Sequence, residues 1–438
     1  MSYFHLNLIL KGKLTVCCLL MLSVIPLNAQ REAKQIGDFK ESISLNEHLR
    51  GTKRTLQYCP DGDEFVCVNG KNRYTRALYG SHSPFRVETS DRPVFAFYNN
   101  GRGGNISFKV ILRDGTELAL DRTGYCESRY SAGKRTYYLT DPSWGKGELR
   151  ISVLALADMD GAIWRFSPSN MPKGAILRWQ HGGATGKRLS RNGDMGVDPA
   201  DCFELPAEAT DLVTGELALQ KEVYLVRGEV PEGYNVRKLY QQAEAASLAL
   251  ASHLKIETPD PYLNTLGGAL VAAADGIWDG QVWLHGAIGW RMPLSGWRAG
   301  YTGDALGWHD RARTHFDAYA ASQVTDVPNT IPHPAQDSTM NLARSEKRWG
   351  TPQYSNGYIC RNPERNNQMH HYDMNLCYMD ELLWHFNWTG DTAYVRKMWP
   401  MITRHLAWEK LNYDPDNDGL YDAYACIWAS DALYYNSE

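Results

Sequence analysis

Residues 413–431 of the chain read YDPDNDGLYDAYACIWASD. Asp414, Asp416 and Asp418 alternate through a tight segment that Gly419 lets turn sharply, and Asp422 and Asp431 follow. Carboxylates crowded in this way repel one another on a featureless surface, so they call for a cation, a bound polyol or water. Upstream, Tyr372, Leu376, Met379, Leu383 and Phe386 step by 4, 3, 4 and 3. Thr389-Gly390-Asp391 breaks the pattern, and Val395, Trp399, Ile402 and Leu406 then step by 4, 3 and 4. This spacing predicts an antiparallel helical hairpin that delivers the acidic loop at its end.

Further upstream the texture stays helical as far as Tyr234. Val236 to His253 is rich in Ala, Leu, Gln and Glu without Gly or Pro, which predicts a helix. Ile256-Glu257-Thr258-Pro259 reads as an extended linker, and Asp260-Pro261 supplies an N-cap and first-turn proline. Leu263, Leu266 and Leu270 follow at helical spacing. The stretch from about Gln323 to Arg365 is rich in Pro and Asn with no sustained period, long for an ordinary connection. Eleven of the 14 tryptophans lie in the last 178 residues, so aromatic surface is concentrated there.

From about Gln30 to Gly233 the pattern is β. Ile106, Phe108, Val110 and Leu112 alternate with polar residues, and Asp114-Gly115 turns the chain into Glu117-Leu118-Ala119-Leu120. Short apolar or β-branched runs recur at 94–98, 136–139, 148–154, 163–166 and 176–180, which predicts an antiparallel sandwich. His181-Gly182-Gly183-Ala184-Thr185-Gly186-Lys187 is one residue short of a phosphate loop and has Arg188 where the metal-binding hydroxyl belongs; it reads as a loop.

At 438 residues, 43% hydrophobic and 22% charged, the composition is that of a globular chain of two domains. A short basic region, an apolar run from Leu14 to Leu27 and Leu27-Asn28-Ala29-Gln30 make residues 1–29 a secretory signal, implying an exported, periplasmic or extracellular protein. Beyond it stand 44 basic and 50 acidic side chains, a net of −6 that argues against nucleic-acid or membrane-surface partners. No cysteine spacing indicates zinc or a disulfide framework, although Cys59 and Cys67 are near enough in sequence to bridge.

A sandwich, a linker helix and then TPDPYLN opening a helical domain resembles the six-hairpin glycosidases, whose catalytic unit is an (α/α)6 toroid. GYTGDA, Gly300 to Ala305, resembles the GWTGDA stretch of α-L-rhamnosidases in that superfamily, and DPDNDGLYD resembles the DxDGDGL loop of several of its branches. The resemblance implies residues 30–233 as β-sandwich, 234–259 as linker helix and 260–438 as part of a toroid. At about 12 residues plus a loop per helix, 178 residues build about half of twelve helices, so the chain reads as C-terminally truncated, with the second catalytic carboxylate beyond residue 438. The rhamnosidase acidic pair falls on Gly296 and Trp297, so that acid is absent, while Asp304 matches the family's sugar-binding aspartate. Asp431 occupies a place similar to a catalytic acid of other branches.

Glycoside hydrolysis needs one protonated carboxyl and a second carboxylate. Asp431 follows Ile427-Trp428, apolar company that raises a carboxyl pKa, and is the candidate acid; a helix cap is its plainer role. Asp304, Arg298, Trp290, Trp297, Tyr301 and Trp308 are candidate sugar contacts, with His285 beside them; core packing is the plainer role of the tryptophans. Asp414, Asp416, Asp418 and Asp422 match the first part of an EF-hand loop, but Ala425 stands where its glutamate belongs, so partial Ca2+ and sugar-hydroxyl sites both stay open. Asp310, Asp317, Asp373, Asp380 and Glu381 read as solvated or ion-paired helical acids. The leading expectation is an inverting, α-L-rhamnosidase-like glycoside hydrolase. A polysaccharide lyase using His285, Tyr301 and Arg298, and a non-catalytic carbohydrate-binding protein, are the alternatives.

Overall fold

A computed structural model describes residues 58–71, 74–99, 102–182, 212–230, 232–287, 291–325, 330–332, 352–354, 356–364, 374–414 and 416–421. Fourteen strands build two antiparallel sheets. One runs in the order β1 (Cys59–Asp61), β2 (Glu64–Val68), β8 (Tyr125–Ser131), β9 (Lys134–Thr140), β10 (Glu148–Ala155), β11 (Gly161–Ser169) and β14 (Val223–Gly228). The other runs β13 (Val213–Ala218), β12 (Ile176–Gly182), β6 (Arg102–Ile111), β5 (Phe95–Asn99), β4 (Arg86–Ser90) and β3 (Tyr74–Leu78), with β7 (Glu117–Ala119) paired to β6. The expected Asp114-Gly115 turn joins β6 to β7: Gly115 has φ 87° and the Asp114 carboxylate accepts from the Thr116 amide at 2.9 Å.

Alternation along the strands decides how the sheets face. Leu149, Ile151 and Val153 of β10 point to the shared core, where Trp164 meets Phe95 at 5.5 Å and Phe97 at 5.8 Å between ring centres. The opposite face of the same sheet, carrying Leu154 and Ile163, is covered by helix α1 (Val236–Ala251) through Leu239, Tyr240 and Ala243. The helix expected as a linker is therefore packed on the sandwich. Cys59 opposes Val66 in the β1–β2 register, so Cys59 is exposed while Cys67, one position further on, is buried on the other face. That register does not bring the two thiols together.

Five more helices follow: α2 (Pro261–Gly276), α3 (Gly300–Ala305), α4 (His309–Ala320), α5 (Met374–Thr389) and α6 (Thr392–Tyr413). Side-chain caps start three of the six described helices, and of these caps only Asp260 is predicted from sequence. Asn235 accepts from the Lys238 amide at 3.1 Å, Asp260 from Tyr262 at 2.8 Å and Asp391 from Tyr394 at 3.0 Å. The stripes that signal α2 and α5 are buried only in part: Leu266, Met379 and Phe386 pack into the cores, but Leu263, Leu270, Leu376 and Leu383 are all about half exposed. The helical core is built instead from Val271, Trp283, Phe316, Tyr378 and Leu382, with Glu381, His385, His405 and Glu409 buried among such residues. A short pair, β15 (Thr330–Pro332) and β16 (Pro352–Tyr354), lies within the long Pro- and Asn-rich connection.

Candidate functional site

The chain between α2 and α3 is shaped by a few local bonds. Asp279 accepts from the amides of Gln281 and Val282 at 2.9 and 2.7 Å, turning the chain so that Trp283 packs at a tilt against Trp278 with ring centres 4.7 Å apart. The His285 amide then donates to the Met292 carbonyl at 3.0 Å, and the His285 ring lies 4.2 Å from the ring of Trp297. Two left-handed residues bracket Trp297: Gly296 at φ 81° and Arg298 at φ 58°. The result is a half-buried indole with an exposed arginine beside it. Glycine is obligatory at 296, because a Cβ there would stand 2.2 Å from the Met374 carbonyl oxygen. The position matching part of the rhamnosidase acidic pair thus has no room for a side chain.

Helix α3 lies along α5. In its first turn the Tyr301 hydroxyl donates to Asp380 in a short hydrogen bond, and burial together with that bond pushes the phenol pKa up. Asp380 is exposed, but its neighbour Glu381 is 1% exposed, which overturns its reading as a solvated or ion-paired acid. The backbone amides of Arg298 and Gly300 lie close enough to favour its anion, yet neither oxygen receives a hydrogen bond of ordinary geometry from a described residue. Burial pushes its pKa up to about 8, with the Asp380 charge adding to the shift and the two amides opposing it. Sequence did carry a signal for this: Tyr378, Glu381, Leu382 and His385 share one helical face.

One turn further along α3, Asp304 faces inward and is 3% exposed. Its carboxylate accepts from His309 Nδ1 at 2.7 Å and from His385 Nδ1 at 2.9 Å to each oxygen. A carboxylate only accepts, so both imidazoles carry their proton on Nδ1. Nε2 of His385 is then a buried acceptor without a hydrogen bond from any described residue, closed in by Phe316 and Tyr394 at 5.4 Å. Trp308 is also buried, roofed by the Arg311 guanidinium 4.4 Å from its ring. His285, Trp297, Arg298 and Tyr301 are all at least partly exposed, with His285 and Trp297 in direct contact, whereas Asp304 and Trp308 belong to the interior.

At the end of α6, one oxygen each from Asp414, Asp416 and Asp418 lies within 4.8 Å of the other two. Gly419 at φ 86° makes the turn, its amide donating to Asp414 at 3.3 Å. This spacing fits the oxygen shell of one Ca2+. Asp422, Asp431 and Trp290 lie outside the described residues.

Residues 100–230, from β6 through β14 of the sandwich, match the profile of a family described as "Domain of unknown function (DUF4450)". No curated protein matches the chain in sequence. Among solved structures, a bacterial glucoamylase complexed with acarbose is similar at 8% identity and a TM-score of 0.41, over 73% of this chain. The chain spans 60% of the length of that glucoamylase.

Proposed function

We propose that this chain is part of an exported glycoside hydrolase, α-L-rhamnosidase-like and inverting, in which the helices after Asp260 contribute to an (α/α)6 toroid. One observation carries the carbohydrate reading: the half-buried Trp297 indole packs at a tilt on the His285 ring, Arg298 beside it in sequence is exposed, and four residues after Trp297 the Tyr301 hydroxyl is bonded to the exposed Asp380. Sugar rings offer C–H faces to aromatic surfaces and hydroxyls to fixed carboxylate and guanidinium groups, and these residues supply each of these partners. In this reading Asp380 takes substrate hydroxyls as an acceptor, Asp431 protonates the leaving oxygen, and Asp304 holds α3 against α5. Ca2+ at Asp414, Asp416, Asp418 and Asp422 would fix the loop leading to Asp431.

The test is hydrolysis of aryl α-L-rhamnosides and rhamnose-containing oligosaccharides, with the first-formed anomer followed by NMR. Inverted rhamnose, lost in Asp431→Asn and strongly reduced in Trp297→Ala, is the expected result. A product with the near-ultraviolet absorbance of an unsaturated sugar would instead identify a lyase, and saccharide binding without turnover a non-catalytic binding protein. Calcium titration of the protein and of Asp418→Asn tests the cation separately. Equal weak binding by both would remove Ca2+ from the proposal.

A further inference from the structure

A cavity of about 430 Å³ opens where the β3–β4 connection, the β10–β11 turn and the β8–β9 hairpin meet α1, α2 and α4. That volume holds a small molecule. Its helical walls are largely methyl groups, including those of Ala243, Ala246 and Ala272, so the space is left open rather than filled by side chains. Its polar end is built. Asp275, in the last turn of α2, is 8% exposed and accepts through Oδ1 from His82 Nε2 at 3.2 Å and Arg311 Nη1 at 2.7 Å. Oδ2 takes no hydrogen bond from a described residue, and in this tautomer His82 Nδ1 is an acceptor. Arg311 is held flat by Trp308, so its guanidinium is fixed before any ligand arrives. Burial works to raise the Asp275 pKa, but the bonds from His82 and Arg311 outweigh it and hold the carboxyl below its usual range.

We propose that this cavity binds a neutral, polyhydroxylated molecule of monosaccharide size, through Asp275, His82 and Arg311. An anion is disfavoured, because Asp275 and Asp158 outnumber Arg311 in the lining, and a cation at the polar end would have to compete with Arg311 for Asp275, while Asp158 is exposed to solvent; a neutral ligand avoids both costs. Vicinal hydroxyls suit what remains: one donates to Asp275 Oδ2 or His82 Nδ1, and another accepts from Arg311. No residue of the Trp297 face lines the cavity, so the site stands whether or not the chain belongs to a glycosidase.

The experiment is ligand-observed NMR and calorimetry with D-glucose, D-galactose, L-rhamnose and myo-inositol, with D-glucuronate and glucosamine as charged controls. Saturable binding of at least one neutral compound is expected, preferred over both charged controls and retained in Trp297→Ala. Ala246→Phe fills the cavity from an exposed helical position and should weaken that binding about ten-fold or more without lowering the melting temperature. His82→Gln, at a half-exposed residue, serves as the second variant and should also weaken it. The proposal fails if no neutral compound binds saturably, if a charged control binds better, or if folded Ala246→Phe and His82→Gln bind as the unaltered protein does. Loss of binding in Trp297→Ala alone would assign the sugar to the Trp297 face and overturn the cavity site.

Discussion

Glu381, on α5, is fully enclosed against the first turn of α3, with no hydrogen bond of ordinary geometry from a described residue to either oxygen, so its charged form is much costlier in the folded protein than in water. Its pKa rises from 4.5 to about 8, chiefly through burial. Each unit corresponds to about 1.4 kcal/mol, so ionising Glu381 in place costs up to about 5 kcal/mol. The sign follows from counting protons. Below pH 4.5 the group is protonated folded and unfolded, and nothing changes. Between 4.5 and 8 the folded chain keeps a proton that the unfolded chain has released, so stability falls as pH rises, and above 8 the penalty is complete.

Glu381→Gln keeps the shape and removes the titration. Urea unfolding followed by tryptophan fluorescence at pH 5, 7 and 8.5 should give nearly equal stabilities at pH 5. At pH 8.5 the glutamine variant should be the more stable by about 2–4 kcal/mol. Glu88, which burial raises to about 7, titrates in the same window but is common to both proteins and drops out of the difference. Parallel pH profiles would refute the reasoning. A wild-type chain that gains on the variant as pH rises would do so more pointedly, because the amides of Arg298 and Gly300 would then be holding an anion.

Asp304→Asn deprives His385 and His309 of their shared charged acceptor and should cost about 3 kcal/mol in urea unfolding; sugar binding by protein still folded should be little changed. Gly296→Ala forces an L side chain to φ 81° and sets its Cβ 2.2 Å from the Met374 carbonyl. Its loss should be at least about 2 kcal/mol, read as a lowered thermal midpoint. His315 accepts from the Trp283 amide through Nδ1 at 3.1 Å, and burial lowers its pKa to about 3, so its ring proton resonances should not titrate between about pH 5 and 8.

The sandwich was legible because a strand buried on one face leaves a two-residue alternation, as in Leu149, Ile151 and Val153, and because Asp114-Gly115 has few backbone shapes open to it. The start of α2 was legible because Asp260 caps it within its own turn; Asn235 and Asp391 cap α1 and α6 in the same local way but were not legible as caps. Which face of a helix turns inward is a different kind of information. In α5 the leucines recur as a core stripe would, yet the buried stripe is Tyr378, Glu381, Leu382 and His385. Both stripes carry apolar atoms, and periodicity does not weigh one against the other.

Depth was less legible still, and helix α3 explains why. Tyr301 and Asp304 are three residues apart and both face α5, so spacing alone assigns them one role. The first meets Asp380 at the exposed end of the contact, and the second meets His385, which is buried. The partner that encloses Asp304 lies 81 positions away in sequence. GYTGDA therefore specifies a short helix and a face, but whether its aspartate is open to a sugar or spent on an imidazole depends on α5. Exchanging partners would require moving α3 by about one turn, or roughly 5 Å, along α5, where Glu381 packs directly against Gly300. A Cβ at Gly300 would already stand 2.6 Å from its carboxylate, so glycine at 300 is what lets α3 lie this close to the buried acid while Tyr301 meets the exposed end of the contact and Asp304 the buried one.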